Sequence, residues 1–261
     1  MIEDADDAAA PPALSLADHV AVLAGHVPGD LFEAERAAVG AGAGEALAAA
    51  LADCDDRGRG RLLRVIARVG APAGKVAPLL RAEAAGTRVD AARALGACGG
   101  DGVAALLGAL DGAAGALRVE IVRSLGRIGD RRAVSALAAD AAGGEARAVA
   151  IEALGQIGGE AARARLIEQL DADEPAARAS AARALGRLGP DPLACAALLR
   201  RFATAGEPHD VRRNAIHALA EVAVPLPEGD PAGPAALVAA LDGPFGREAK
   251  KALARLTEGG Q

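Results

Sequence analysis

The sequence contains no tryptophan, no tyrosine and only three phenylalanines among its 261 residues. A core without large rings must be built from alanine, leucine, valine and isoleucine, which let helices approach at the short end of the usual range of about 8–10 Å. This favours a stack of closely packed helices over a globule around one large core. It also removes the aromatic platforms on which many nucleic-acid-binding proteins stack bases.

Positive charge and cysteine are also in short supply. The formal net charge is −6 and the pI about 5.3, which disfavours general binding to nucleic acid or anionic lipid unless basic side chains gather on one face. Cys54, Cys98 and Cys195 are far apart without a C-x-x-C pair, so we expect free thiols and neither a disulfide framework nor a zinc site.

The sequence also lacks the apolar run of about 18 residues that a membrane span needs. The N-terminus is acidic, the reverse of the basic lead of a signal peptide. We therefore expect a cytoplasmic protein. The excess of arginine over lysine is typical of a GC-rich bacterial genome.

What is present is a repeat. The phrase L-G-x-I-G occurs twice, with its leucines at Leu125 and Leu154, 29 residues apart. Related phrases extend the series in both directions, with spacings of 29 to 34 residues between successive anchors. A period of this length indicates an array of supersecondary units. The anchors are Ile66, Leu95, Leu125, Leu154, Leu185, Leu219 and Leu253.

Each unit predicts two helices. The residues four and three before the anchor, the anchor itself and the residue three after it are apolar in nearly every unit, which predicts an amphipathic first helix. In four units a glycine follows the anchor, as at Gly126, where we expect a neighbouring backbone to pass too close for a side chain. A second glycine, as at Gly129, is expected to stop the helix in a left-handed conformation. A short turn and a second helix follow.

These units carry a family resemblance. The stretches LRVEIVRSLGRIGDRRAVSAL and PAARASAARALGRLGPDPLACAAL resemble the HEAT-like repeats first described in phycobilisome lyases. The resemblance covers about residues 58–257. It implies an all-α fold, a right-handed α-α superhelix (HEAT-like α-solenoid) of about seven helix-pair repeats. Such repeats occur in scaffolds, lyases, hydroxylases and DNA-repair proteins, so the fold alone implies no single function.

The expected domain organisation has three segments. Residues 1–14 are predicted to be a disordered acidic lead, because their acidic residues, alanines and two prolines bury too little apolar surface. Residues 15–257 are predicted to form a single HEAT-like α-solenoid domain, with a degenerate first repeat over residues 30–53. Residues 258–261 are predicted to be a flexible tail. Lys250 occupies an otherwise apolar position in the last helix, as expected of a terminal cap.

Arginine recurs seven residues before the anchor. In related repeats this arginine resembles a structural residue that ties one unit to its neighbour through an aspartate or a backbone carbonyl. We interpret the series as a structural ladder, since guanidinium groups bind several fixed acceptors well. The ladder comprises Arg59, Arg88, Arg118, Arg147, Arg178 and Arg212.

Basic residues also recur two positions before and after the anchor, opposite the apolar stripe. They predict a basic track along the outer surface of the first helices, interrupted by Glu152 and Gln156. The track is a candidate docking strip for an acidic partner or a phosphate backbone. The alternative is a solvated face whose charges pair with Glu120, Asp90 or Glu221. The candidate partner-binding residues are Arg64, Arg68, Arg93, Arg123, Arg127, Arg183 and Arg187.

The second helices are expected to line the concave side. Their side chains are small and weakly charged, which suits a partner helix or an apolar edge. The candidate concave residues are Ala104, Gly108, Ser135, Ala139, Arg163 and Ile167, together with Gln169 and Ala194.

Catalytic motifs are missing. The four histidines form neither i, i+4 pairs nor the His-Glu pairs that carry the di-iron site of related hydroxylases, and Cys98 and Cys195 fall on apolar faces. We therefore expect no cofactor, no metal and no enzymatic activity. The predicted function is a non-catalytic protein-protein interaction scaffold or adaptor that binds another protein. The alternatives are an enzyme-associated regulatory subunit or lyase-like HEAT enzyme, and nucleic-acid binding through the basic track.

Overall fold

The computed structural model describes residues 14–224 and 232–257, and the predicted tail and all but the last residue of the predicted acidic lead lie outside these ranges. The described residues form sixteen α-helices and two short 3-10 segments and contain no β-strand. The predicted all-α fold is therefore confirmed. Helical contacts divide the chain into two compact units, Met1–Cys98 and Gly99–Gln261. The expectation of a single domain over residues 15–257 stays a prediction.

The first unit contains six α-helices and a 3-10 segment, Ala77–Arg81. Ser15 and Asp18 form a capping box at the start of the first helix. The predicted degenerate repeat is also present as two short helices, which lead into the first full unit. The helices are α1 (Leu16–Ala24), α2 (Leu31–Gly40), α3 (Gly44–Ala50), α4 (Asp56–Val69), α5 (Ala73–Val76) and α6 (Ala85–Leu95).

The second unit contains ten α-helices and the 3-10 segment Arg131–Ala133. First and second helices of the repeats alternate along the chain. The first helices are α8 (Gly115–Ile128), α10 (Arg147–Ile157), α12 (Pro175–Gly186), α14 (His209–Val222) and α16 (Gly246–Thr257). The second helices are α7 (Gly100–Leu110), α9 (Val134–Ala142), α11 (Gly159–Gln169), α13 (Pro192–Ala203) and α15 (Ala232–Ala239).

The apolar stripe of each first helix lies in the core of its repeat, as its helical period predicts. In α8 the stripe residues Ile121, Val122 and Leu125 are fully buried. Aromatic residues contribute more than predicted, because Phe202 and Phe245 are also buried and lie edge to face, with ring centroids 6.2 Å apart. At the end of the chain Lys250 is exposed, as expected of a cap.

The glycine after the anchor brings successive first helices into direct contact. A Cβ atom on Gly126 would lie 2.6 Å from the Cβ of Ala153 on the next first helix, and one on Gly155 would lie 2.9 Å from the Cβ of Ala184. Real Cβ atoms do not approach this closely, so only glycine fits at this separation. The second glycine also behaves as predicted at Gly129, which ends α8 in the left-handed conformation with φ 74°.

Two successive second helices, α11 and α13, stand further apart than the first helices beside them. Helices α10, α12 and α14 pack closely one on the next, whereas α11 and α13 touch at few points and leave a groove between them. The assignment of the second helices to the concave side stays a prediction. We call the exposed side of α7, α9, α11, α13 and α15 the second-helix face.

Candidate functional site

The main candidate site is the groove between α11 and α13, with a volume of about 550 Å³. Each helix contributes one seam of residues at positions i, i+3, i+4 and i+7, which share one side of a helix. The centre of the floor is formed by alanines, and larger side chains stand at the ends. The seams are Glu160, Arg163, Ala164 and Ile167 on α11, and Leu193, Ala196, Ala197 and Arg200 on α13.

The groove carries an exposed leucine at one end. Leu193 is 73% exposed, although its neighbours Ala194 and Cys195 are buried in the core. It lies one residue after Pro192, the first residue of α13, where Asp191 caps the helix by accepting a hydrogen bond from the Ala194 amide at 2.8 Å. The cap fixes the start of α13 and so holds Leu193 at the mouth of the groove. The buried position of Ala194 corrects its predicted place on an exposed face.

Two ion pairs tie α11 and α13 together on either side of this floor. At the Leu193 end, Arg163 binds the carboxylate of Asp191 at 3.2 Å and the carbonyl of Leu188 at 3.1 Å. At the other end, Arg200 lies 3.3 Å from the carboxylate of Asp171, just beyond the end of α11. The two helices therefore run parallel, with their N-terminal ends at the Leu193 end of the groove.

The second-helix face includes the other predicted concave residues of the second unit. Ala104, Gly108, Ser135 and Ala139 are exposed on α7 and α9, and only Arg163 and Ile167 border the groove. Gln169 is half-buried, with its side-chain oxygen 3.4 Å from a guanidinium nitrogen of Arg147. Two residues of the predicted set, Arg163 and Ile167, therefore lie at the groove, and the role of the set stays a prediction.

The predicted basic track divides into two kinds of residue in the second unit. Arg123 and Arg127 both bind Glu120, at 2.8 and 3.5 Å, and the Glu120 side chain is only 4% exposed. In contrast, Arg183 on α12 and Arg187, the residue after the end of α12, are exposed and have no ion-pair partner among the described residues. The first pair therefore neutralises a buried carboxylate, and the second pair is available to an external anion.

In the first unit the track residues lie among acids. Arg68 binds Glu35, and Arg93 binds Asp90 at 2.9 Å. Arg64 borders a second cavity of about 510 Å³ whose lining also includes Asp56 and Asp90. This environment is that of the solvated, paired face considered as the alternative for the track.

Two of the three cysteines lie in the environment expected of core residues, whereas Cys98 is only partly buried. Cys54 and Cys195 are buried, and burial raises the pKa of both thiols. A raised pKa leaves less of the nucleophilic thiolate at neutral pH. Within residues 14–224 and 232–257, histidine, cysteine, aspartate and glutamate side chains form no cluster of three that could hold a metal ion. Over the same residues, none of the helices has both the length and the apolar character that crossing a membrane requires.

Comparisons with known proteins agree with the geometry. Residues 138–220 match the family of HEAT repeats, and residues 117–139 match the PBS lyase HEAT-like repeat. The chain is a HEAT-like repeat protein. The matched residues include α9 to α13 and most of α8 and α14, so the groove lies within the HEAT repeats. No curated protein sequence matches the chain.

Solved structures resemble the HEAT-like fold at low identity. The crystal structure of an engineered protein matches with a TM-score of 0.57 and 20% identity, covering 92% of this chain and 73% of that chain. Human deoxyhypusine hydroxylase in complex with glycerol matches with a TM-score of 0.39 and 20% identity, covering 92% and 96%. A designed armadillo repeat protein matches with a TM-score of 0.36 and 19% identity, covering 93% and 100%. Likeness at these identities concerns the fold alone.

The arginine ladder joins successive HEAT-like repeats in the structure. Arg118 donates to the carbonyl of Leu110 at 3.0 Å, at the end of α7, and to the carboxylate of Asp140 at 2.7 Å, in the next second helix. Arg59 and Arg88 likewise bind carbonyls of the segment before their own helix. The Arg118 guanidinium group thus satisfies carbonyls left open at the end of the preceding second helix and adds an ion pair to the second helix of its own repeat.

The remaining ladder arginines vary this arrangement. Arg147 approaches the Glu174 carboxylate at 3.4 Å, a longer contact than that of Arg118. Arg178 binds the carbonyls of Ala172 and Asp173, each at 2.8 Å, and a carboxylate of the next repeat. Arg212 stands over the Phe202 ring at 5.0 Å, a cation–π contact.

Most residues that line the groove were not predicted from the sequence. The predicted site did not include Leu193, Ala196 and Arg200, although they form an i, i+3, i+7 series on α13. The residues Glu160, Arg163, Ala164 and Ile167 show the same spacing on α11. Two matching seams in successive second helices were the signal that could have located the groove.

Proposed function

We propose that this HEAT-like repeat protein is a non-catalytic scaffold or adaptor that binds a partner protein through the groove between α11 and α13. The observation that carries the proposal is Leu193, a leucine exposed to 73% beside a floor of alanines. An exposed apolar side chain next to an apolar groove, bordered by charged residues, is the usual anatomy of a protein-binding site.

The ion pairs at the groove support a binding role. The side chains of Arg163 and Asp191 are only about one-fifth exposed and hold the helix ends in place, so the groove is formed before a partner arrives. A preformed site avoids part of the ordering cost of binding. The groove offers a shaped apolar surface on rigid helices, which can position another protein without breaking or making a bond.

The test is affinity capture with matched variants. The tagged chain, its Leu193→Asp variant and its Phe32→Asp variant are each used to recover proteins from extract of the source cells. Phe32 is 77% exposed and lies on α2 in the first unit, so it controls for loss of an exposed apolar side chain. Both substitutions are at exposed sites and should change the free energy of unfolding by less than about 0.5 kcal/mol.

We expect a defined set of proteins to be retained by the original chain and by Phe32→Asp and lost from Leu193→Asp. Circular dichroism of each variant establishes that the helices are intact. If Leu193→Asp retains the same proteins as the original chain, the groove is not the binding site and the proposal is wrong.

A second candidate function rests on Arg183 and Arg187. These two exposed side chains lie four residues apart at the C-terminal end of α12, and neither has an ion-pair partner in the described part of the chain. They could bind an acidic protein or a phosphate backbone. The large negative net charge and the shortage of aromatic side chains weaken the nucleic-acid form of this candidate.

A further inference from the structure

The shape of the groove suits an α-helix as the bound element. Its two seams run parallel, and the seam on α13 spans seven residues from Leu193 to Arg200, about 10 Å at 1.5 Å per residue. Ala164, Ala196 and Ala197 keep the centre of the floor low, with Leu193 and Ile167 bordering it. A ridge of side chains on a third helix can lie between two such rows, as ridges pack into grooves between neighbouring helices.

The Arg200 end of the groove has an excess of positive charge. Three arginines meet two carboxylates there: Arg178 and Arg201 hold Glu207, and Arg200 and Arg201 share Asp171. One positive charge is therefore not compensated within this cluster. It falls on Arg200, whose side chain is 57% exposed, whereas those of Arg178 and Arg201 are 12% and 16% exposed.

The Leu193 end of the groove has no comparable excess of charge. The charge of Arg163 is matched by Asp191. Glu160 also lies at this end. Arg131 lies close to the neighbouring Gly159, because the Nε atom of Arg131 is 3.5 Å from the position that a Cβ atom on Gly159 would occupy. The charges at this end thus balance. A partner that complements the charges of the groove therefore needs an anionic group only at the Arg200 end.

We propose that the occupant of the groove is an amphipathic helix of about two turns in a partner protein. It would place two apolar side chains, one turn apart, on the alanine floor, and an aspartate or glutamate about one turn further on against Arg200. This inference rests on the proposed function and adds the chemistry of the partner. Helix-in-groove binding of this kind reads apolar anchors at i and i+4, and the carboxylate fixes which way the helix lies.

The chain suits a direct binding assay because it contains no tryptophan. A capped synthetic peptide of alanine and glutamine carries a tryptophan and a leucine at i and i+4, and a glutamate one turn beyond them. The glutamate is placed after the pair in one peptide and before it in another, which covers both directions of binding. Comparison peptides replace the glutamate with glutamine or lysine, or both apolar anchors with alanine. A blue shift of tryptophan emission reports burial.

We expect one glutamate peptide to bind about fivefold more tightly than its glutamine counterpart, the effect of roughly 1 kcal/mol for an exposed ion pair. The alanine-anchor peptide has no tryptophan, so it is tested as a competitor, and it should not displace the glutamate peptide below about 1 mM. In the Arg200→Glu variant the preference should reverse in favour of the lysine peptide. Asp171 keeps Arg201 as a partner in that variant, so the fold is preserved.

The matched control is Arg165→Glu, which makes the same change of net charge on α11. Arg165 is half exposed and pairs with Glu168, away from the groove lining. This variant should keep the original preference for the glutamate peptide. An effect equal to that of Arg200→Glu would mean that the peptide senses only the overall charge and would overturn the proposal.

Three other results would also overturn it. One is the absence of any tryptophan shift up to about 1 mM peptide. Another is an unchanged charge preference in Arg200→Glu. The third is self-association of the chain that is abolished by Ala196→Arg, which would make a second copy the occupant. If Leu193→Asp still loses the captured proteins in any of these cases, the groove remains a binding site and only the helical, acidic partner is excluded.

Discussion

Arg178 and Glu207 join two successive repeats through a doubly hydrogen-bonded ion pair. The Nε and Nη2 atoms of Arg178 donate to the same carboxylate oxygen at 2.9 and 2.6 Å, and Arg201 donates to the other oxygen at 2.8 Å. The Glu207 side chain is only 2% exposed. A buried carboxylate between two guanidinium groups depends on both of them, because removing charge from one side leaves the other uncompensated.

Replacing Glu207 by glutamine should therefore destabilise the chain by about 3 kcal/mol, since two partly buried arginines lose their shared negative charge. Urea unfolding followed by far-UV circular dichroism measures the change. The control is Glu168→Gln: Glu168 is 57% exposed and pairs with Arg165 on the surface, so the change should be below about 0.5 kcal/mol. Equal effects of the two substitutions would contradict the structural role of Glu207.

The same pair predicts a pH dependence of stability. Burial alone raises the pKa of Glu207, but hydrogen bonds from Arg201 and Arg178 outweigh it and hold the pKa below its ordinary value. A carboxyl with a depressed folded-state pKa contributes stability that is present above the unfolded-state pKa of about 4.3. This contribution is lost as the pH falls through the folded-state pKa. Glu207→Gln should lose less stability than the original chain over that acid range, and parallel curves would refute the prediction.

Replacing glycine by alanine should destabilise the chain at Gly126 in α8 and stabilise it at Gly108 in α7. At Gly126 a Cβ would meet Ala153 at 2.6 Å and force α8 and α10 apart, so Gly126→Ala should cost about 1–3 kcal/mol despite its better helix propensity. Gly108 is in the last turn of α7, with open space around the position of its Cβ. Gly108→Ala should therefore stabilise by about 0.5–1 kcal/mol. Urea unfolding of the two variants measures both, and two stabilised variants would disprove the close approach at Gly126.

The contrast between these glycines shows why part of the fold could be predicted from the sequence. Gly126 recurs at a fixed place after the anchor, and the cost of glycine in a helix interior makes its recurrence meaningful. The buried positions Ile121, Val122 and Leu125 follow from the 3.6-residue period in the same way. Local chemistry fixes these features, so one sequence is enough to find them.

The groove could not be predicted in the same way. Second helices carry no constant anchor, and the choice between Leu193 and Ala194 as the exposed residue depends on where the Asp191 cap starts α13. The separation of α11 and α13 follows from packing in the layer of first helices, which no single repeat specifies. Glu120 was likewise expected to be a surface partner for the track, whereas the structure places its side chain in the interior.

Phe202 should be far more important for stability than Phe32. Phe202 is 1% exposed, lies edge to face with Phe245, and carries the guanidinium of Arg212 at 5.0 Å over its ring. Phe202→Ala should cost about 3–5 kcal/mol through the cavity left behind. Phe32→Ala, at a side chain 77% exposed, should change stability by less than about 0.5 kcal/mol. Thermal unfolding of both variants is the measurement, and similar losses would contradict the burial of Phe202.

Two arginines of the basic track should contribute to stability, and two others should not. Arg123 and Arg127 hold the buried carboxylate of Glu120, so reversing their charge places negative groups beside it and should lower stability by several kcal/mol. Arg183 and Arg187 hold no described acid, and two positive charges one turn apart repel each other weakly. Their double reversal to glutamate should leave the free energy of unfolding within about 1 kcal/mol of the original value.

That difference makes Arg183→Glu with Arg187→Glu the proper test of the track as a binding surface. If the track binds a phosphate backbone, the double variant should lose affinity for a mixed-sequence DNA or RNA duplex, and the original chain should show a linear fall of log affinity with log salt. Affinity that appears only at low salt and is unchanged in the double variant would be non-specific. The track would then act as a solvated face, and binding would be assigned to the groove between α11 and α13.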